Sequence, residues 1–165
     1  MNQRYIFLMF IPLMFLISGC PIGITYPPGE PGTEKYEKAL IGTWTQPDKE
    51  KEVQKIQIAR IDDYSFKLTV LEKGEMYSEE GDSFTGWMTT VDGKKFIYLQ
   101  EEGNKIGNYY TYCIDFVDKN LKSLDISLKE GGVDAVTSTE AFRKEISASL
   151  KYADALSSEA TWTKE

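Results

Sequence analysis

The chain has 165 residues, with 19 basic against 26 acidic side chains and no histidine. The acidic balance argues against nucleic acid as a partner, since a phosphate backbone repels a negative chain. The missing histidine removes the commonest general base and metal ligand, and with them every Ser-His or Cys-His nucleophile.

Met1 to Arg4 is short and polar, with one positive side chain. Tyr5 to Ile17 is apolar apart from Pro12 and carries no charge. Its 13 residues fall short of the roughly 20 that a bilayer span needs. A charged start, a short apolar core and the small residues Ser18 and Gly19 are the layout of a secretory signal. Cys20 then stands where an A-x-A cleavage pattern would otherwise be expected. Ile17-Ser18-Gly19-Cys20, with Leu16 before it, resembles the lipobox of bacterial lipoproteins. The resemblance implies that the Cys20 thiol receives a diacylglycerol and that signal peptidase II removes residues 1–19 as a signal peptide. Cys20 becomes the first mature residue. Its acyl chains give firm membrane anchoring, which takes more than one chain.

Removing residues 1–19 takes away Arg4 and no acid, leaving 18 basic and 26 acidic residues, a net charge of −8. Residues 20–35 hold Pro21, Pro27, Pro28 and Pro31 among Gly23, Gly29 and Gly32. Such a composition builds no core of its own and is read as an extended tether. In Gram-negative lipoproteins an Asp directly after the Cys usually marks retention at the inner membrane. Pro21 stands there instead, which favours the outer membrane if the organism is Gram-negative. The expected location is the bacterial cell envelope, with the protein held by lipid on Cys20.

Residues 36–165 have the length of one domain. Leu40 to Thr45 reads as a first strand, after a lead-in over Glu34 to Lys38. Val53 to Ile61 and Tyr64 to Leu71 are two strand-like runs around Asp62-Asp63; in the second, Tyr64, Phe66, Leu68 and Val70 alternate with polar residues, the period of a half-buried strand. Phe84 to Val91 and Lys94 to Gln100 flank Asp92-Gly93, a strong hairpin signal. Tyr109 to Val117 follows. Asn120 and its neighbours turn the chain into the Leu124, Ile126, Leu128 alternation, and Ala160 to Thr163 closes the series. Between these last two, Thr137 and Glu140 have the spacing of a capping box, and Phe142, Ile146 and Leu150 recur at helical period. A helix over about 138–152 is predicted. The fold class is mainly β: an antiparallel eight-stranded meander with one late helix before the last strand. Such a meander tends to close into a barrel, because closure removes exposed edges.

Leu40-Ile41-Gly42-Thr43-Trp44 on the first strand resembles the Gly-x-Trp start of lipocalin-like, or calycin, barrels. The resemblance spans about Tyr36 to Glu165. It implies a lipocalin-like β-barrel whose base is closed by Gly42 and Trp44, with a basic residue near the chain end packed on the Trp. Lys164 is the nearest candidate, where the family usually has Arg. The helix precedes the last strand instead of following it, and the Thr-Asp-Tyr motif is missing at Asp115-Phe116.

Carboxylates come in groups at Asp62/Asp63, at Glu79/Glu80 with Asp82, and at Glu101/Glu102. All lie at predicted turns or strand ends, the latter two groups beside glycine, where solvated turn chemistry accounts for them. No spacing matches a calcium loop or a zinc cluster. No metal, cofactor or catalytic residue is expected, and the chain is not read as an enzyme. The strand aromatics are more informative. Phe66, Trp87, Tyr98, Tyr110, Tyr112 and Phe116 are candidates to line a ligand cavity, with Tyr hydroxyls orienting an apolar ligand; a simply filled core is the alternative. Tyr110, Tyr112, Ile114 and Phe116 share the face expected to point inward. That aims Cys113, left unpaired if Cys20 is lipidated, outward toward the helix. The expected function is an envelope lipoprotein whose barrel binds a small hydrophobic or amphipathic ligand. The alternative is a non-enzymatic interaction or inhibitor module with a filled barrel and acidic loops for a cationic protein partner.

Overall fold

Eight antiparallel strands follow one another in chain order and close on themselves. The computed structural model describes residues 23–47, 53–74, 79–103 and 108–165. Cys20 and the rest of residues 1–22 lie outside the described residues. The strands are β1 (Gly42–Thr45), β2 (Val53–Arg60), β3 (Phe66–Lys73), β4 (Ser83–Val91), β5 (Lys94–Glu101), β6 (Tyr109–Val117), β7 (Asn120–Ile126) and β8 (Leu156–Lys164). Helix α1 (Thr139–Ser149) lies between β7 and β8. The ring closes where β1 meets β8, with Trp44 opposite Lys164 and Thr45 opposite Thr163.

Local chemistry sets the turns. Asp92 and Gly93 both take positive φ, 48° and 77°, the two-residue turn whose twist matches a hairpin. The β6–β7 turn is Asp118-Lys119, with φ of 49° and 70°, so β7 begins at Asn120, the residue expected to turn the chain. Without glycine there, pairing of Val117 with Asn120 imposes the left-handed pair, which Asp tolerates better than most residues. The helix cap also lies one residue from the expected place. Ser138 is the N-cap, and its Oγ accepts from the Ala141 amide at 3.1 Å. No acid follows three residues later, so the Thr137–Glu140 box does not form.

Two apolar cores result. One fills the barrel, built from Trp44, Ile58, Phe66, Met88, Leu99 and Trp162 among others. The other lies outside the sheet, where Phe142 and Ile146 of α1 cover Val91, Phe96 and Cys113. Cys113 thus faces outward and is buried beneath the helix; its thiol is pushed up from the ordinary range by burial.

The segment read as a tether is packed on the barrel over its described part. Ile24 is buried and pairs with Tyr109 through two backbone hydrogen bonds, 3.1 and 2.8 Å. Pro28 is fully buried. A Cβ on Gly29 would lie 2.6 Å from Thr89 Cβ, so only glycine lets the chain lie this flat against β4. Proline and glycine do not disqualify a segment from lying on a surface that other residues supply.

Candidate functional site

The two ends of the barrel differ in packing among the described residues; the end crossed by the 3-10 turn is the base, and the other is here called the mouth. At the base, the 3-10 turn Lys38–Leu40 crosses beneath the strands and buries Leu40. The Trp44 indole N–H donates to the Leu40 carbonyl at 2.8 Å. Lys164 extends its Nζ over the Trp44 ring, 5.1 Å from the centroid, and donates to the Ala39 carbonyl at 2.9 Å. The Lys164 stem passes through the space where a side chain on residue 42 would begin: a Cβ there would lie 2.4 Å from Lys164 Cε, and Gly42 has a φ of 148°. Gly42, Trp44 and Lys164 are therefore one steric unit. Tyr36 completes the plug, edge-on to Phe66 with centroids 5.7 Å apart, its hydroxyl donating to the Asp62 carbonyl at 2.9 Å. Phe116 stands 6.3 Å from Trp44 and is half-buried.

Toward the mouth the inner wall loosens. Phe84, Tyr110 and Tyr112 pack against the inner core but are only half-buried. Phe84 and Tyr110 meet edge-to-face with centroids 6.1 Å apart. Beside them Leu68 and Leu99, and farther along the strands toward the base Met88 and Ile97, are buried and form an apolar floor. Leu68 pairs with Phe84, and Leu99 with Tyr110, so rings and floor come from the continuous β3–β6 wall. Rim turns flank this wall. The Asp82 carboxylate accepts from the Glu79 amide at 2.8 Å, Glu79 pairs with Lys73 at 2.6 Å, and Glu102 with Lys67 at 2.7 Å. At the opposite end Asp62 accepts from the Tyr64 and Ser65 amides, which hold its carboxyl below the usual range. Asp63 pairs with Arg60. These carboxylates stabilise turns and cations, and among the described residues no group of acids and cysteines could hold a metal.

Four of the six lining candidates, Phe66, Tyr110, Tyr112 and Phe116, face the interior, Phe66 in the filled floor and Tyr110 and Tyr112 above it. Trp87 and Tyr98 do not. Gly86, Met88, Ile97 and Leu99 take the inward places, so Trp87 and Tyr98, opposite one another in the hairpin, point outward. Their rings stack with centroids 5.7 Å apart, and Tyr109 closes on both at 6.4 and 6.1 Å. Tyr98 is fully buried, and its hydroxyl has no hydrogen-bond partner among the described residues. Burial first, then the charges of Glu34 and Glu30 and the neighbouring Tyr109, push this phenol far above the ordinary tyrosine range. Phe84 is the mouth residue that the candidate set missed. The Asp92-Gly93 turn carries the signal that finds it, because two-residue register places Phe84 and Met88 on the face opposite Trp87.

A charged network binds the N-terminal segment to this outer wall. Glu34 accepts from Thr89 Oγ1 at 2.5 Å and from the Thr90 amide at 3.0 Å. Arg143 of α1 donates to the Pro28 carbonyl at 2.9 Å, to Thr89 Oγ1 at 2.8 Å and to the Thr90 carbonyl at 2.8 Å. An open groove of about 410 Å³ beside it is lined by Asp92, Lys144, Ser147 and Lys151. Charged side chains, Glu140 and Arg143 among them, make up most of this lining, with Val91 and Ala148 between them. Comparisons of the chain with protein-family models, with curated proteins and with solved structures find no match.

Proposed function

We propose that this chain is a lipid-anchored lipoprotein of the bacterial cell envelope, attached through Cys20, with a lipocalin-like barrel that binds a small hydrophobic or amphipathic ligand at its mouth. The observation that carries the reading is the contrast inside the barrel: a plugged base, and above its apolar floor a wall of half-buried rings from Phe84, Tyr110 and Tyr112. Rings with water on one side and apolar floor on the other gain free energy when an apolar group covers them, at roughly 25 cal/mol per Å² removed from water. The Tyr hydroxyls are polar handles for the head of an amphipathic ligand. The role is binding without catalysis, and the ion pairs of Glu79 and Glu102 weigh against bare acidic loops that would grip a cationic protein.

The test is a fluorescence titration of the mature chain, carrying Cys20→Ser, with a dansyl-labelled fatty acid. Saturable emission is expected, and Tyr110→Asp should weaken it about tenfold, the equivalent of about 1.4 kcal/mol. Trp87→Leu on the outer wall should leave it unchanged. A parent protein that gives no saturable signal contradicts the reading.

A further inference from the structure

We infer that the anchored protein turns the mouth of its barrel toward the bilayer and holds the base away from it; this rests on the lipid attachment at Cys20 proposed above. The argument is one of reach. Ile24 is fixed by its two-bond bridge to Tyr109, the first residue of β6, at the mouth end of the wall. From there the chain descends along the outside of the barrel. Gly29 meets Thr89 low on β4, Glu34 holds the Thr90 amide, and Tyr36 reaches the Asp62 carbonyl at the base. The N-terminal end of this segment therefore leaves the barrel at the mouth.

Three residues separate Cys20 from Ile24, which is four steps along the chain. At about 3.5 Å each they span at most about 14 Å. The wall is longer: β6, with nine residues, covers about 26 Å along the strand, or about 20 Å of height at an ordinary barrel tilt of about 40°. A protein standing on its base would need its lipid to reach back past the whole wall, which those four steps do not allow while Ile24 stays paired. With the mouth side nearest the membrane, no chain has to stretch. Leu71, toward the mouth end of β3, is exposed, and Lys67 and Lys73 pair with rim acids that would otherwise repel an anionic surface. The consequence for function is a route: a lipid-like ligand passes between the bilayer and the aromatic-lined mouth over a short distance of water.

The test uses the full-length protein, processed in cells and reconstituted into vesicles of phosphatidylethanolamine and phosphatidylglycerol carrying a nitroxide-headgroup lipid. One fluorophore is attached through Glu102→Cys at the mouth rim or Asp63→Cys at the base; buried Cys113 stays unlabelled. The rim probe should be quenched several times more strongly than the base probe, and Ile24→Pro, which removes the bridge donor, should shrink the contrast. Equal quenching, or a base probe quenched more, overturns the orientation while leaving anchoring intact. Anchoring is read separately from the mass of the N-terminal peptide. An unmodified Cys20 overturns the lipoprotein reading and the orientation with it.

Discussion

The walls of this barrel are built in two ways. In β2 and β3 only the inner face is buried: Ile56, Ile58, Phe66 and Leu68 point to the core, while Gln57, Ala59 and Leu71 are exposed. In β4 to β6 both faces are buried. Phe96, Ile97, Tyr98 and Leu99 are four consecutive buried residues, alternately facing the outer cover and the inner core. The first wall is a sheet with one wet side. The second is the middle layer of a sandwich whose outer slices are α1 and the N-terminal segment. An aromatic residue on the first wall is a lining residue if it is buried at all; on the second, burial says nothing about which side it serves.

Substitutions can break or sharpen this contrast. The largest effect belongs to the outer core: Phe142→Ala should destabilise the protein by about 3–5 kcal/mol, as for other fully buried rings, read from urea unfolding. Next is the network that fastens the outer cover. Arg143→Met removes three hydrogen bonds that tie α1 to Pro28, Thr89 and Thr90, and should cost about 2 kcal/mol. Hydrogen exchange should then speed up over residues 24–36 before the barrel strands respond. Tyr98→Phe should act in the opposite direction, raising stability at neutral pH by about 1 kcal/mol by removing a buried hydroxyl that has no partner among the described residues. It also changes the alkaline limb. Burial keeps the Tyr98 phenol protonated beyond the ordinary range, so above about pH 10 the unfolded chain has released a proton that the folded chain retains. Stability therefore falls as pH rises, and Tyr98→Phe should flatten that fall. The smallest effect is Leu71→Ser on the one-sided wall, expected within about 0.5 kcal/mol of the parent.

The same contrast explains what could be read from the sequence. The one-sided wall announces itself: Phe66, Leu68 and Val70 alternate with polar neighbours because one side meets water. The hairpin at Asp92-Gly93, the late helix and the Trp44–Lys164 pair depend on local chemistry or on chain ends that closure brings together, and all were legible. The face of Trp87 and Tyr98 was not, because a wall buried on both sides loses its alternation. Register held the answer for that pair, since the turn sets Trp87 opposite Tyr98 and fixes both to the side of Thr89. The docking of residues 24–36 left no periodic signal. Its determinants, Gly29 against Thr89 and Glu34 on the Thr90 amide, are long-range contacts of a proline-rich segment with no pattern of its own.

The central claim is that the mouth of the barrel takes an apolar ligand, and native mass spectrometry of the full-length protein extracted from its own membranes tests it most directly. A reproducible mass beyond the chain and its covalent acyl groups, lost in Tyr110→Asp and retained in Trp87→Leu, is the predicted result. A mass equal to the acylated chain alone, unchanged after incubation with a lipid extract, would contradict the account.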